Sequence, residues 1–175
     1  MSSHWATFLA THKYMEIKKL LKDKSYVNLD LGEIPQKGFL LLKEAGAHFD
    51  KLPWPFPDSS IDLIRADNII SKVRREGNQF IKFMDECWRI LKNNGEFMIA
   101  TPYAGSYQFY QDPLNINPCN ECTFAYFDPL EPIAGQDLYK LYKPKPWKIK
   151  HMSFQLNGMM EVLLEKRKED VSYGR

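Results

Sequence analysis

Two stretches decide the fold: residues 51–64, KLPWPFPDSSIDLI, and residues 86–102, ECWRILKNNGEFMIATP. Prolines at 53, 55 and 57 cannot continue a helix, because each removes a backbone donor and restricts the residue before it. We therefore predict an extended loop at residues 52–58 and a strand at 61–66. A second apolar run predicts a strand at residues 96–101.

Between these strands, residues 78–91 have the period of an amphipathic helix. Apolar side chains recur every three or four positions, at Phe80, Phe83, Met84, Cys87, Trp88 and Leu91. Residues 92–95, KNNG, are predicted to end the helix, with an asparagine or glycine available for a left-handed cap. Strand, helix and strand in this order predict a right-handed βαβ unit, with Phe83 and Trp88 in the core.

Upstream of this unit, the sequence predicts a helix and two short strands. Residues 1–25 contain an amphipathic pattern of aromatic and aliphatic side chains separated by lysines, which indicates an N-terminal helix. Strands are predicted at residues 26–32 and 39–42. Only six residues, 33–38, separate them, whereas a parallel crossover normally needs a dozen or more. The usual crossover helix is therefore short or missing, and the N-terminal helix is an alternative occupant of that place on the sheet.

Downstream, the sequence predicts a long excursion followed by a hairpin. Residues 103–146 are rich in proline, aromatics and asparagine with little periodicity, and are expected to cover one end of the sheet. Two apolar runs flank Asn157-Gly158, a strong hairpin signal, within residues 147–166. The whole chain is predicted to be one α/β domain, a mostly parallel sheet flanked by helices with an antiparallel hairpin at one edge.

Composition limits the classes of partner and compartment. The 175 residues are 44% hydrophobic, which excludes the signature of a disordered chain. A net charge of +2, from 24 basic and 22 acidic residues, makes a nucleic-acid or membrane partner unexpected. No apolar run approaches the roughly 18 residues of a bilayer span. Three cysteines without a secretion signal predict a cytoplasmic location.

The two opening stretches resemble those of class I S-adenosylmethionine (SAM)-dependent methyltransferases. In that family a segment similar to LPFPDNSFD leads into the fourth strand, and one similar to RVLKPGG precedes the fifth. The resemblance covers residues 26–105, and the C-terminal hairpin extends it. It implies a Rossmann-like sheet with SAM across the carboxyl ends of the central strands, since ligands of open α/β sheets bind where strand order reverses.

The resemblance also implies a set of cofactor-binding residues: Asp30, Gly32, Glu44, Asp50 and Asp67. Asp30 and Gly32 match the acid and the first glycine of a D/N-x-G-x-G loop, where glycine lets the backbone approach the ligand. Ile34 replaces the second glycine, and we expect it to crowd the methionine end of SAM. Lys43 aligns with the acid that binds the ribose, and a one-residue shift brings Glu44 there instead.

Two further acids complete the implied cofactor set. Asp50 precedes the Pro-rich loop, where relatives have an acid that contacts adenine, although His48 competes for that place. Asp67 opens the segment DNIISK, which stands where relatives often have SHVLEH. Both histidines and the acid of that family segment are replaced here.

The segment after the fifth family strand implies an acceptor site. In this family methyl acceptors often lie there, so the residues implied to line the pocket are Tyr103, Tyr107, Tyr110, Asp112 and Asn115. The alternative is that these aromatic residues only pack the lid. A histidine base is absent, and methyl transfer to a good nucleophile can proceed largely by positioning.

Other readings stay open at this point. Cys119 and Cys122 form a C-x-x-C pair, but a tetrahedral zinc site needs four ligands and no second pair exists, so we predict no metal site and reduced thiols. Five lysines between residues 140 and 150 indicate either a solvated sheet edge or a nucleic-acid surface. The sequence predicts a SAM-dependent methyltransferase of unknown acceptor. The alternative is an inactive binding or regulatory module of the same fold.

Overall fold

The computed structural model describes residues 27–131 and 136–169. The predicted N-terminal helix, within residues 1–25, lies outside the described residues. In the described part of the chain no helix is long and apolar enough to span a bilayer.

Six strands form one mixed sheet. They are β1 (Asn28–Asp30), β2 (Phe39–Leu41), β3 (Ile61–Asp67), β4 (Leu91–Pro102), β5 (Trp147–Phe154) and β6 (Met159–Lys166). The strand order is β2-β1-β3-β4-β6-β5. The first four strands run parallel, and β6 pairs antiparallel with both β4 and β5. The predicted mostly parallel sheet with an antiparallel hairpin at one edge is confirmed.

The predicted amphipathic helix is α1 (Gln79–Ile90), which joins β3 to β4. Its buried apolar residues are Phe80, Phe83, Met84, Cys87 and Ile90. Trp88 was predicted in the core, but it is only partly buried. Its indole N–H donates to the carbonyls of Pro146 and Arg167, at 2.9 and 3.1 Å, so Trp88 fastens α1 to both ends of the hairpin.

The end of α1 differs from the prediction. Leu91 caps the helix in an extended conformation and already begins β4, five residues before the predicted strand. Leu91 pairs with Ile61, and pairing resumes regularly at Leu63 and Glu96. Asn94 does take a positive φ, of 60°, but inside this irregularity and not as the helix cap. The tertiary pairing of Leu91 ends the helix before the turn residues are reached.

The Pro-rich loop is held by two charged residues of α1. Glu86 is 7% exposed, and its Oε1 accepts a hydrogen bond from the backbone N–H of Trp54 at 2.6 Å. Arg89 binds both oxygens of Glu86 and also donates to the carbonyl of Phe56 at 2.8 Å. Trp54 and Phe56 are thereby anchored in the core. The two stretches that decide the fold therefore bind each other directly, through Glu86 and Arg89 of α1 and the backbone of the Pro-rich loop.

One face of the sheet packs on α1, and the other is partly open as far as the described residues go. Residues 31–38 connect β1 to β2 without a helix, as predicted from their number. On β4 and β6, Met98 and Glu161 point away from α1 and are exposed, and they border a cavity of about 640 Å³.

The long excursion contains three short helices: α2 (Tyr107–Gln111), α3 (Glu121–Ala125) and α4 (Gln136–Tyr142). Ser106 caps α2, its Oγ accepting from the N–H of Phe109 at 3.3 Å. Gly158, in the hairpin turn, packs against this cap, since a Cβ on it would lie 3.0 Å from Cβ of Ser106. The hairpin turn therefore supports α2 at the end of the sheet.

Candidate functional site

An arginine joins two carboxylates at the carboxyl ends of β1 and β3. Nη1 of Arg65 lies 2.7 Å from Oδ2 of Asp30, and Nη2 lies 2.8 Å from Oδ2 of Asp67. The register pairs Asp30 with Arg65 on adjacent strands. Arg65 and Asp67 are two residues apart on β3 and therefore share a face of the sheet. Asp30 is fully buried, whereas the side chain of Asp67 is 40% exposed.

This three-residue cluster occupies the point where the strand order reverses. From β1 the chain passes to β2 on one side, and it then returns to β3 on the other side of β1. In open α/β sheets the crevice at such a point binds ligands. The cluster therefore lies at the position where a ligand site is expected.

Gly32 completes this end of β1. Oδ1 of Asp30 accepts a hydrogen bond from the N–H of Gly32 at 2.8 Å, which folds the loop back onto the strand. A Cβ at Gly32 would lie 3.0 Å from the same oxygen, so the close approach favours glycine. Ile34 was expected to crowd the crevice. Its side chain is instead 73% exposed, because the connection after Gly32 is a bare surface loop.

The side chains of Glu44 and Asp50 bond to residues outside this cluster. Oε2 of Glu44 accepts from the N–H of Leu41 at 3.2 Å and caps the 3₁₀ turn after β2. Asp50 pairs with Nδ1 of His48 at 2.5 Å on the surface. The structure thus brings together three of the five residues implied for the cofactor, Asp30, Gly32 and Asp67.

An ion pair connects the tips of β1 and β2. Nζ of Lys43 lies 3.2 Å from Oε2 of Glu33 and donates to the carbonyl of the same residue at 2.8 Å. Both side chains are at least half exposed. A cation therefore stands next to Glu44, at the end of β2.

A second cavity, of about 420 Å³, lies beside the Asp30–Arg65–Asp67 cluster at the same end of the sheet. We call it the amide pocket. Its polar lining residues are Asn68, Gln108, Gln111, Asp112, Asn115 and Asn157. Asn68 directly follows Asp67 and has a φ of 55°, a left-handed conformation that asparagine tolerates. The amide pocket and the Asp30–Arg65–Asp67 cluster therefore meet at the tip of β3.

Asp112 is the charged residue of the amide pocket. The N–H of Leu114 donates to its Oδ1 at 2.9 Å, and Nζ of Lys72 lies 3.0 Å from its Oδ2. These two contacts, the backbone hydrogen bond first, hold the pKa of Asp112 below its ordinary value. The carboxylate is therefore ionised at neutral pH and is balanced by Lys72.

Comparison with known proteins identifies the fold. No protein-family model and no curated protein matches the sequence. The methyltransferase chain of a complex with the Haloferax volcanii Trm112 activator superposes with a TM-score of 0.50 and 11% identity, over 95% of each chain. A 16S rRNA adenine methyltransferase of Catenulisporales acidiphilia, solved with SAM, gives a TM-score of 0.53 and 9% identity, over 89% of this chain and 92% of that one. This is the class I SAM-dependent methyltransferase fold.

Within this methyltransferase fold, the tyrosines expected to line an acceptor site lie outside the amide pocket. The hydroxyl of Tyr103 donates to Oε2 of Glu121 at 3.1 Å, which raises the pKa of Tyr103, and its ring packs on Phe154. Tyr107 and Tyr110 are 77% and 74% exposed on α2. Asp112 and Asn115 are the two expected residues that line the pocket.

The remaining amide side chains and Arg65 were missed by sequence reasoning. Arg65 and Asp67 lie two residues apart on the predicted strand and therefore share a face of the sheet. This strand periodicity was the signal that could have identified Arg65. The amides of Asn68, Gln108, Gln111 and Asn157 come from three separate segments. Only the tertiary fold brings them together.

The structure also bears on the hypotheses for the cysteine pair and for the lysine-rich segment. Cys119 is buried and Cys122 is exposed, and burial raises the pKa of the Cys119 thiol to about 12. Among the described residues no cluster of three or more potential ligands could hold a metal ion. Lys148 and Lys150 pair with Glu165 across the hairpin, as in a solvated sheet edge.

Proposed function

We propose that this protein is a SAM-dependent methyltransferase whose acceptor binds in the amide pocket. The observation that carries the proposal is the Asp30–Arg65–Asp67 cluster at the reversal of strand order. The fold alone would not suffice, because one fold serves many functions.

The charges of this cluster fit the amino-acid end of SAM, which carries an ammonium and a carboxylate. Asp67 has a partly exposed carboxylate that can accept from the ammonium group. Arg65 is 26% exposed and retains N–H groups beyond the two that bind Asp30 and Asp67, so it can donate to the ligand carboxylate. Asp30 has both oxygens engaged and acts as the support that orients Arg65 and Gly32.

Fewer side chains are placed to bind the ribose of SAM than its amino-acid end. Glu44 uses Oε2 for the backbone of Leu41, and its other oxygen has no partner among the described residues, so that oxygen can accept from a ribose hydroxyl. When bound, SAM supplies an electrophilic sulfonium methyl group. The chain itself would hold its two ends and orient it at the tips of the strands. The free thiols at Cys87, Cys119 and Cys122 support a cytoplasmic location.

A second candidate is a binding or regulatory module that has lost SAM. It is favoured by the ion pair of Lys43 and Glu33, which bridges the tips of β1 and β2 where a ribose carboxylate is implied. The lack of a helix after Gly32 adds to it, since the N-terminus of such a helix would help to organise the site.

Calorimetric titration of the purified protein with SAM and with S-adenosylhomocysteine tests the proposal. We expect binding of both, lost in Asp67→Asn and Arg65→Ala and retained in Arg74→Ala, a change of an exposed arginine outside the cluster. Circular dichroism verifies that each variant is folded. Absence of heat at high micromolar ligand on folded wild-type protein would reject the enzyme and favour the second candidate.

A further inference from the structure

Most of the residues that line the amide pocket are polar and uncharged. Five of its residues are asparagine or glutamine, one is Asp112, and the apolar contribution is limited to Pro102 and Met159. Carboxamides offer both donors and acceptors without a net charge. A pocket with this lining is suited to a ligand that both donates and accepts hydrogen bonds and is itself neutral.

The orientation of three of the amides is fixed by hydrogen bonds to rigid groups. Asn68 Nδ2 donates to Oδ1 of Asp67 at 2.9 Å, and Asn115 Nδ2 donates to the carbonyl of Phe109 at 3.0 Å. Asn157 is turned the other way, since its Oδ1 accepts from the N–H of Met159 at 3.1 Å. Asn68 and Asn115 therefore keep an oxygen uncommitted, and Asn157 keeps its N–H₂.

The two glutamines add adaptable groups. Gln108 and Gln111 lie three residues apart on α2 and so share a face of the helix. Neither side chain has a hydrogen-bond partner among residues 27–131 and 136–169. Each can therefore turn its donor or its acceptor toward a ligand.

The charge balance of the amide pocket disfavours an ionic ligand. Lys72 pairs with Asp112 at 3.0 Å and neutralises it, so the lining residues that the structure describes offer no uncompensated cation to a phosphate or carboxylate. A cationic ligand would have to compete with Lys72 for the carboxylate. The free energy needed to desolvate either kind of ion would therefore exceed the free energy of its contacts in the pocket.

The exposed tyrosines of α2 are not among the residues that line the amide pocket. A base-binding site normally stacks the base between aromatic or apolar faces, yet none of the described aromatic residues lines the amide pocket. Tyr107 and Tyr110 are 77% and 74% exposed on α2, and each directly precedes one of the lining glutamines. Their rings are available to a ligand that extends out of the pocket and presents an apolar face.

We propose that the amide pocket binds a neutral polyhydroxylated compound, a sugar, as the methyl acceptor. Sugar hydroxyls each donate and accept, which matches the mixed amide groups, and the C–H face of a sugar ring can pack on Tyr107 or Tyr110. This inference rests on the proposed function, because it names the acceptor for the cofactor site at the neighbouring tip of β3.

The transfer itself balances with the groups present. A hydroxyl oxygen attacks the methyl carbon of SAM, the carbon–sulfur bond breaks with its electron pair passing to sulfur, and the products are a methyl ether and S-adenosylhomocysteine. The hydroxyl proton leaves to solvent water. Asp112 can accept a hydrogen bond from the reacting hydroxyl and so orient it.

Saturation-transfer NMR on the full chain tests the acceptor class. The probes are the methyl glycosides of glucose, galactose, mannose and xylose, with adenosine and a short neutral peptide for comparison, each with and without S-adenosylhomocysteine. With S-adenosylhomocysteine present to fill the cofactor site, we expect signals from at least one glycoside and none from adenosine or the peptide. Incubation of that glycoside with SAM should then give a product heavier by one CH₂ in mass spectrometry.

Two variants connect binding to the amide pocket. Asn157→Asp keeps the acceptor for Met159 but removes the free N–H₂, and Gln111→Leu removes both groups of that side chain. Each should weaken glycoside binding about tenfold. Gln155→Leu is the matched control, since Gln155 lies on the same hairpin and bonds Glu161, outside the pocket.

The outcomes separate this inference from the proposed function. Binding of S-adenosylhomocysteine without any glycoside signal, or binding of adenosine or the peptide that the two variants weaken, overturns the sugar and leaves the enzyme standing. A glycoside signal that both variants weaken, on protein that binds no SAM, supports the sugar site and overturns the methyltransferase.

Discussion

Arg65 and Asp30 form an ion pair in which Nη1 lies 2.7 Å from Oδ2 of a carboxylate without solvent exposure. Because the same guanidinium binds Asp67, Arg65 holds two strand ends together. The pair has a structural role and, under the proposed function, a binding role, and different substitutions separate the two.

We expect Arg65→Ala to lower the free energy of unfolding by about 3 kcal/mol, because it leaves the buried charge of Asp30 without its partner. Arg65→Lys should cost less, since it keeps the charge but cannot reach both carboxylates with a planar fork. Urea unfolding followed by circular dichroism measures both. A loss as small as that of Arg74→Ala would contradict a supporting role for Arg65.

The contact between Glu86 and Trp54 gives a second prediction. Glu86→Ala should destabilise the protein by about 2–4 kcal/mol, because it leaves the N–H of Trp54 without its acceptor and removes the more buried of the two carboxylates that pair with Arg89. In a double-mutant cycle with Arg89→Ala, the coupling should exceed about 1 kcal/mol. Lys82→Ala, on the exposed face of the same helix, is the control. Additive effects would mean that the two side chains act independently.

Gly158 and Gly105 separate backbone strain from a steric clash. Both have a positive φ, of 85° and 86°, but only Gly158 lacks room for a Cβ, since Ser106 is 3.0 Å away. Gly158→Ala should therefore cost about 1–2 kcal/mol more than Gly105→Ala. Thermal unfolding of the two variants measures the difference. Equal losses would show that the hairpin turn does not press on α2.

Thiol reactivity should distinguish Cys119 from Cys122. Burial raises the pKa of Cys119 to about 12, so its thiolate fraction at pH 8 is on the order of 10⁻⁴, and that fraction rises with pH. Alkylation of the native protein at pH 8, read by peptide mass spectrometry, should modify Cys122 and spare Cys119 and Cys87. All three should react in denaturant. Rapid native labelling of Cys119 would contradict its burial.

The sequence predicted the fold well where the local sequence pattern and the tertiary contacts favour the same structure. The period of residues 79–90 reflects one buried face, and Asn157-Gly158 determines the hairpin by local turn chemistry. The start of β4 was wrong because its first residue is decided by Ile61 on another strand. Local turn signals at residues 92–95 could not reveal this pairing.

The candidate site was predictable only where it is local. Asp30, Gly32 and Asp67 were implied by the family resemblance, and the structure brings them together at neighbouring strand ends. Glu44 instead caps a turn within its own segment, which competes with a ligand role. The amide pocket combines segments that are as far apart as Asn68 and Asn157, and no pattern within one segment encodes such a meeting.

The eight-residue connection between β1 and β2, exposed from Glu33 onward, also affects local stability. Both strands are three residues long, and within the described part of the chain β2 pairs with β1 alone. Amide hydrogens at this edge should therefore exchange with deuterium well before those of β4 and β6, whose pairing extends over seven residues. Any nucleotide that binds over β1 and β2 would order this edge on arrival, and part of its binding free energy would be consumed in doing so.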